Sequence, residues 1–405
     1  MNKLIVFICF YWPLFSSCLQ LQGVVYKVGG ETMSQLFAYA NLGLIVAGLF
    51  LFRKNIETTS TTSRLWFVFY IMYYCFGILA TGLSGFQPSL AASLIPIIYF
   101  VGFYFLLSNK EQFEMFFKVI TFSFVVSAII TVILIKLNYS LGSGGVYARE
   151  LDRAEGLYGD ANNAALASII AYLLFDKFFK PWNFITKASK ILILLILFYS
   201  VFLTFSTTGL FVFTIVFFIT NYKFFTGIRL ILFGVLIALF YAGIFALKSE
   251  TKNLDLSKAQ IVKIDNIINV LTLNLDKVDN SGRGDLVQNV IQYIYENPIL
   301  GNGVEFSGYM RGHNTYVGIW VDAGIFTFIL FLFILFYYFF KTFTLEKHLR
   351  FFAMAILIVL YIFMVSLQSV INQPYLIVLF VFIAYMIDNN RVNEGHLDFF
   401  KKPDE

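Results

Sequence analysis

The stretch "RGHNTYVGIWVDAGIFTFILFLFILFYYFF", residues 311–340, joins a polar head to a long apolar run. About 20 apolar residues in helical form cross the hydrocarbon core of a bilayer, so the run predicts a transmembrane helix. Polar side chains are costly in lipid. It is therefore notable that Arg311 and His313 lie at the start of this helix and that Asp322 lies within it.

The rest of the chain repeats this apolar pattern. Of the 405 residues, 59% are hydrophobic and 13% are charged, whereas a soluble domain carries about 25% charged residues. We therefore predict an all-α polytopic integral membrane protein with about 12 transmembrane helices. The candidate spans are residues 4–21, 33–52, 65–86, 88–107, 113–135, 160–178, 190–205, 207–221, 228–247, 313–340, 351–369 and 372–387. The three cysteines lack metal-site spacing, and no basic stripe indicates nucleic acid.

Lysine and arginine are distributed unevenly between the two sides of this arrangement. With the N-terminus inside, eighteen of them fall on the inner side and four in short outer loops. Positive residues collect on the cytoplasmic side, so the count favours this orientation, with an uncleaved first helix rather than a signal peptide. The chain then divides into nine spans (1–247), a long outer loop (248–312), three spans (313–387) and a cytoplasmic tail (388–405).

The outer loop contains two apolar patterns with helical spacing, which predict amphipathic helices lying on the membrane or on the bundle. Their apolar faces comprise Ile264, Ile268, Leu271 and Leu275 in residues 259–275, and Leu286, Val290, Ile291 and Ile294 in residues 285–297. Pro298 should end the second helix near Asn297, and "GNG" (301–303) should form the turn that follows.

Uncharged polar residues collect at the outer ends of the predicted spans. Turns are often polar for no further reason, and that is one interpretation. The other is an outward-facing cavity, where irregular backbone can face water or protein. The residues concerned are Ser84, Gln87, Asn162, Asn163, Ser206, Thr207, Thr208, His313, Gln368, Ser369, Asn372 and Gln373.

Charged residues border this outer face in "ARELDRAEGLYGDANNAA", residues 148–165. Asp160 is a good N-cap for the sixth span. Arg149 and Arg153 lie one helical turn apart and could flank one anion. The pair Glu150 and Asp152 offers only two carboxylates between arginines, so we expect no metal ion there.

Two further motifs carry charge at the outer face. Arg283 in "SGRGD" (281–285) stands near a helix N-terminus, where anions are favoured, although it could also be a solvated loop residue. His313 is either a helix-cap residue beside Asn314 or the head of a stripe. The stripe would continue through Tyr316 and Trp320 to Gly324, whose missing side chain would allow close helix contact. Asp322 points to the opposite side and should pair elsewhere in the bundle.

Four stretches resemble the O-antigen polymerase and ligase superfamily (Wzy/WaaL type) over roughly residues 150–330. They are "DRAEGLYGDANNAA", "TFSTTGLF", "SGRGDLVQNVIQYIYENPILGNGV" and "GHNTYVGIWVDAGI". The resemblance implies a GT-C-like bundle with a long periplasmic helical loop in the bacterial inner membrane, with the active site on the periplasmic face. It implies an undecaprenyl-pyrophosphate-linked glycan donor, a glycan or lipid A–core acceptor, and a chain-length regulator as an accessory partner. We expect the reaction to require neither a metal ion nor a cofactor.

The resemblance also suggests which residues act. By motif, the catalytic residues would be Arg153, Arg283 and His313. The family commonly has an arginine after the serine of "TFS", and here that position is Thr207. Substrate contacts would come from Arg149, Arg311, Asn162, Asn163, Asn314, Tyr316 and Trp320.

These features favour a polymerase of lipid-linked oligosaccharide repeat units, on general architecture and on the missing "TFS" arginine. An O-antigen ligase, which moves finished glycan to lipid A–core, remains an alternative within the family. A lipid-linked-oligosaccharide flippase is an alternative of another class. It should show two related halves and no large outer loop, whereas this chain has the loop and no visible repeat.

Overall fold

The computed structural model describes residues 2–53, 61–86, 95–107, 110–141, 145–146, 153–222, 231, 234–235, 238–239, 242–243, 245–246, 258–272, 274, 283–368 and 370–389. These residues are almost entirely helical. The helices are α1 (Lys3–Cys18), α2 (Leu21–Leu51), α3 (Thr61–Ser84), α4 (Ile95–Leu107), α5 (Lys110–Lys136), α6 (Ala161–Phe178), α7 (Phe184–Leu203), α8 (Thr207–Thr220), α9 (Lys258–Leu271), α10 (Arg283–Glu296), α11 (Phe306–Tyr309), α12 (Thr315–Lys341), α13 (Lys347–Ser366) and α14 (Pro374–Asp388). Two short antiparallel strands, β1 (Tyr139–Ser140) and β2 (Gly145–Val146), pair Tyr139 with Val146.

Six of these helices are long and apolar enough to cross a membrane, namely α2, α3, α5, α7, α12 and α13. The apolar helices α1, α4, α8 and α14 are shorter. The protein is thus an all-α, multi-pass membrane protein, as predicted. A described helix overlies every predicted span except residues 228–247, most of which lie outside the described residues. The number of twelve crossings stays a prediction.

Helix α2 differs most from its predicted span. It begins at Leu21, twelve residues before the predicted start at residue 33, and it is kinked at Gly30. Gly30 has φ 79°, a left-handed conformation that glycine adopts without steric cost. Hydropathy alone missed the first part of this helix because that part carries charged and polar residues.

Helix α6 lies at the centre of the bundle. Most of its residues are buried, from Ala161 through Phe175. Small side chains such as Ala164, Ala165 and Ala167 let neighbouring helices approach closely, and α5, α7, α8 and α13 all pack against it. Several neighbouring helices can therefore fix the position of the α6 end that begins at Ala161.

Helix ends that the charge count assigns to the inner side do lie together. The Asp388 carboxylate at the end of α14 accepts hydrogen bonds from Thr62 Oγ1 (2.6 Å) and Tyr104 Oη (2.8 Å). Lys190 Nζ on α7 lies 2.8 Å from Asp176 Oδ1 on α6. These contacts join helix ends that the charge count assigns to one side, and the orientation itself stays a prediction.

Helix α12 is broken at Ala323 and Gly324, whose backbone angles are not helical. The loop at residues 298–303 satisfies the backbone groups that the break frees. Asn302 N donates to Val321 O (2.7 Å), Gly303 N to Asp322 O (3.0 Å), and Ile325 N to Pro298 O (3.0 Å). A broken helix is tolerated at membrane depth when protein supplies the missing hydrogen bonds in this way.

The break corrects the role predicted for Gly324. A Cβ atom at this position would lie 1.8 Å from Ile299 O, and its φ is 77°. Gly324 therefore allows close contact with the backbone of the 298–303 loop, not with another helix. The "GNG" segment likewise does more than turn the chain, since a Cβ on Gly301 would lie 2.5 Å from Asp322 O.

Candidate functional site

Arg153 reaches the "TFS" turn between α7 and α8. Its Nε donates to Thr204 O at 3.0 Å, and its Nη2 lies 3.5 Å from Asn162 Oδ1. The same Asn162 oxygen accepts a 2.8 Å hydrogen bond from Ser206 Oγ, which also caps α8 through Gly209 N. This arrangement places a half-buried guanidinium at the junction of α6, α7 and α8.

The position that commonly holds an arginine in the resembling family is Thr207. Its hydroxyl is buried and has no hydrogen-bond partner among the described residues. An arginine does reach this turn, but it is Arg153, which comes from the segment before α6. The preceding Phe205 has φ 45°, so the turn holds a strained backbone conformation beside that guanidinium.

Asp160 caps α6, as its position predicted. Its carboxylate accepts hydrogen bonds from Asn162 N (2.9 Å) and Asn163 N (3.0 Å). Capping uses only the backbone of the two asparagines. Their side chains turn elsewhere, Asn162 to Ser206 and Asn163 to Tyr375 Oη at 2.8 Å.

His313 lies in a strained segment before α12. The helix begins at Thr315, and Asn314 caps it by accepting a 3.1 Å hydrogen bond from Val317 N. His313 is half-buried with φ 44°, and the exposed Arg311 has φ 56°. Both the cap interpretation of His313 and the helical stripe beginning at His313 are therefore wrong, because this residue precedes the helix and Asn314 is the cap.

The two aromatic residues predicted to contact sugar lie on the first turns of α12. Tyr316 Oη donates to Tyr361 O at 3.0 Å, and Trp320 Nε1 donates to Pro298 O at 3.0 Å. The Trp320 ring stacks on Phe328 at 5.3 Å between centroids. Their polar atoms are thus used within the protein, and contact with sugar stays a prediction.

Asp322 has partners that the sequence could not name. It is 3% exposed, and it accepts hydrogen bonds from Ser307 N (2.6 Å), Ser307 Oγ (3.1 Å) and Tyr73 Oη (2.8 Å). The prediction that Asp322 pairs elsewhere within the bundle is confirmed. The sequence signal that could have pointed to Ser307 is its place in "VEFSGY" (304–309), a short segment between the glycine-rich loop and His313.

Glu305, in the same segment, was also missed by sequence analysis. It is partly buried, and burial raises the pKa of its carboxyl above the ordinary value. Its Oε1 accepts a 3.3 Å hydrogen bond from Asn372 Nδ2, and its φ is 62°. An acid between an apolar valine and an apolar phenylalanine is a visible but weak signal.

Residues 368–375, which we call the connector, contact both the segment of Glu305 and Ser307 and the N-terminal end of α6. Gln368 Nε2 donates to Ser307 O (2.7 Å), and Asn372 donates to Glu305. Tyr375, at the start of α14, donates to Asn163. Asn163, Gln368 and Asn372, three of the polar residues predicted at outer helix ends, are therefore linked through the connector. Ser84, another of them, donates a hydrogen bond to Asn302 O.

A cavity of about 440 Å³ opens beside the connector. Its walls come from the α1–α2 turn, the start of α2, the segment before α6 and the connector. Its polar lining residues are Gln20, Gln22, Tyr26, Lys27, Ser34, Tyr158, Asn372 and Gln373. Asn372 and Gln373, two of the polar residues predicted at outer helix ends, line this cavity, which favours the second interpretation for these two residues.

Several predicted residues cannot be compared with the structure. Arg149, Gln87, Ser369 and the pair at 150 and 152 lie outside the described residues. Arg283 is the first residue of α10, and its side chain lies outside them as well.

Helices α9 and α10 lie where the two apolar patterns predict amphipathic helices, and both bury apolar side chains. Val290 and Ile294 on α10 are buried in a cluster with Phe306 and Val321, so this helix lies on the bundle. On α9, Ile264 and Ile268 are buried. The Leu271 side chain and the whole of Leu275 lie outside the described residues. Helix α10 ends at Glu296, next to the predicted stop.

Comparison with known proteins adds one match. Residues 192–332 match the model of the Wzy_C family, described as O-antigen ligase. This confirms the resemblance to the O-antigen polymerase and ligase superfamily, and it supports an activity of the ligase or polymerase type. The matched residues include the "TFS" turn, the 298–303 loop and His313, while Arg153 and Asn162 precede them. No curated protein matches the chain.

Proposed function

From this family match and the convergence of polar residues at one end of the bundle, we propose that the protein polymerises lipid-linked oligosaccharide repeat units. The donor is an undecaprenyl-pyrophosphate-linked glycan of O-antigen or capsule type, and the acceptor is a sugar hydroxyl. The reaction takes place on the periplasmic face of the inner membrane. The observation that carries the proposal is the connector, since it joins the Asn163 end of α6 to the segment that leads to His313.

The donor explains the arginines. When the glycosyl bond breaks, a pyrophosphate leaves that is already a good leaving group and needs charge stabilisation more than protonation. Arginines can supply this by bidentate hydrogen bonds without a metal ion. We assign this role to Arg153 and Arg283, with Arg149 and Arg311 as further phosphate contacts.

The acceptor explains the histidine. A sugar hydroxyl has a pKa far above 7, and its attack benefits from a positioned base whose own pKa lies near ambient pH. We assign this role to His313. The acceptor oxygen forms its bond to the anomeric carbon as the bond to the phosphate oxygen breaks, and His313 takes the hydroxyl proton. Direct attack inverts the anomeric configuration.

The cavity suits an uncharged part of the substrate. Amide side chains such as Gln22 and Gln373 can hydrogen-bond sugar hydroxyls, and Tyr158 offers an aromatic ring at the wall. Lys27 is the cation among its lining residues. We propose that sugar units of the glycan occupy this space, with Asn162, Asn163, Asn314, Tyr316 and Trp320 as further substrate contacts.

The alternative within the family is an O-antigen ligase, and the description of the matching family favours it. A flippase for lipid-linked oligosaccharides is the alternative of another class. Glycan analysis of a strain lacking the protein separates the three. A single repeat unit on lipid A indicates a polymerase. Polymer that stays on the lipid carrier indicates a ligase, and accumulation on the inner leaflet indicates a flippase.

The same strain tests the residue assignment. Complementation with His313→Ala should leave single repeat units, since the acceptor hydroxyl loses its base. Normal polymer length from a variant present at normal membrane levels would refute the role of His313.

A further inference from the structure

Asp322 is a buried carboxylate that the proposed glycosyl transfer does not use. Its two oxygens accept three hydrogen bonds, two from Ser307 and one from Tyr73. A buried carboxylate is costly unless such donors surround it. Asp322 thus ties α12 to α3 and to the segment that precedes His313.

The contacts of Ser307 continue this path toward His313. Ser307 O accepts a 3.0 Å hydrogen bond from Gly312 N, and Gly312 is the residue directly before His313. The same Ser307 oxygen accepts the 2.7 Å bond from Gln368 on the connector. The first turn of α12 also fits closely here, because a Cβ on Gly318 would lie 2.9 Å from Ser307 Oγ.

Tyr73 adds a second attachment to the same segment. Its hydroxyl donates to Asp322 and accepts a 3.3 Å hydrogen bond from Glu305 N. The buried pair of Asp322 and Tyr73 therefore holds the backbone at both residue 305 and residue 307.

Residues 305–313 include three residues with unfavourable backbone angles, and these angles require restraint by the surrounding structure. Glu305, Arg311 and His313 all have left-handed φ values, of 62°, 56° and 44°. Residues with side chains keep such angles only where the surrounding structure over-determines them. The hydrogen bonds of Asp322 and Tyr73 provide that restraint from the bundle side.

We propose that Asp322 is a positioning residue for His313: through Ser307 and Gly312 it holds segment 305–313 so that the imidazole faces the acceptor hydroxyl. The proposal rests on the function proposed above, because it assigns a task to His313. Asp322 does not touch the substrate itself, since its side chain is buried within the protein.

The test compares variants that remove or weaken the hydrogen bonds of Asp322 with a matched control. Tyr73→Phe and Ser307→Ala each remove one of the three hydrogen bonds, and Asp322→Asn removes the charge. Tyr338→Phe is the control, because it removes another buried hydrogen bond between α3 and α12, from Trp66 Nε1 to Tyr338 Oη (2.7 Å). This control should lower thermal stability to a similar degree without reaching residues 305–313.

Two measurements are made on each full-length variant. The first is hydrogen–deuterium exchange of peptides covering residues 306–312 in detergent-solubilised protein. The second is polymer output in the complemented deletion strain. We expect faster exchange for Tyr73→Phe and Asp322→Asn than for Tyr338→Phe, and a fall in output of about 10- to 100-fold for Asp322→Asn, as misplacement of a reacting group by about 1 Å can cause. Ser307→Ala should have a smaller effect because its backbone N–H still bonds Asp322.

Three results would overturn the proposal. One is exchange at 306–312 no faster than in Tyr338→Phe. Another is an equal fall in output for Tyr338→Phe, which would mean a general loss of structure. The last is faster exchange with normal output while His313→Ala abolishes polymer. If His313→Ala leaves polymer unchanged, the proposed function fails instead, and the exchange data alone decide whether Asp322 holds the segment.

Discussion

The planar guanidinium of Arg153 makes two separate contacts at the junction of α6, α7 and α8. Nε bonds the carbonyl of Thr204 while Nη2 points toward Asn162. A guanidinium carries five donors in a rigid plane, so it can bond the protein on one edge and present donors to a phosphate on another. A lysine has one flexible ammonium and cannot do both in a fixed geometry.

Arg153→Lys should therefore reduce polymer output by about 10²-fold, a loss typical of removing one oriented donor from a site of charge development. The variant keeps the positive charge, so a fall reports geometry rather than net charge. Arg350→Lys is the control, since Arg350 also bonds backbone carbonyls, of Phe343 and Leu345, at the other end of the bundle. Equal output from the two variants would argue against a phosphate role for Arg153.

Glu305 carries a prediction about pH and stability. Burial raises its pKa, so the folded state prefers the neutral carboxyl. The stability linked to this preference is complete at pH values below the ordinary glutamate pKa, and it is lost as pH rises through the raised pKa.

Glu305→Gln is neutral at every pH and should lose this dependence. Its melting temperature in detergent should exceed that of the wild type at pH 8, and the difference should shrink toward pH 4. Glu296→Gln provides the control, because it makes the same substitution at an exposed position. A constant difference between Glu305→Gln and wild type across this range would contradict the effect of burial.

At the scale of single elements, the break in α12 determines how the loop from Pro298 to Gly303 is held. Freed carbonyl groups at Val321 and Asp322 accept hydrogen bonds from that loop, and Asn302 Nδ2 adds two more, to Tyr293 O (3.1 Å) and Val321 O (3.2 Å). The broken part of α12, the loop and α10 thus pack together next to the segment that carries His313. Glycine is required where the two backbones touch.

Gly324→Ala should consequently destabilise the protein strongly. The combination of positive φ and extended ψ at Gly324 alone costs an L-residue about 1–3 kcal/mol, and the added Cβ would clash with Ile299 O. Gly43→Ala in α2 is the control, because no atom lies within 4 Å of its added Cβ, and alanine is the better helix former by about 0.5–1 kcal/mol. Melting temperatures of the two purified variants measure the difference. A Gly324→Ala protein as stable as Gly43→Ala would exclude the close backbone contact.

For the whole molecule, the contacts sort the helix ends into two groups. Asp388, Tyr104 and Thr62 meet at one end. The connector, the 305–313 segment and the cavity lie at the ends assigned to the outer side. The lysine and arginine count assigns the first group to the cytoplasm. The proposed reaction requires the second group to face the periplasm.

Cysteine labelling in intact cells tests this orientation. On a Cys75→Ser background, with Cys9 and Cys18 buried, Tyr309→Cys should react with a membrane-impermeant thiol reagent from outside. Thr344→Cys, exposed between α12 and α13, should react only after the cells are opened. The opposite pattern would invert the topology and place the proposed site in the cytoplasm.

The sequence by itself determined the membrane class, most helix positions, the cap at Asp160 and the resemblance to a family over part of the chain. Hydropathy, charge bias and capping depend on neighbouring residues, so they can be deduced from local sequence patterns. Tertiary structure alone decided that Arg153 meets the "TFS" turn, that His313 stands in strained backbone outside α12, and that Asp322 bonds Tyr73, 249 positions away along the chain. Such partners are set by how distant helices pack, and no local pattern encodes that packing.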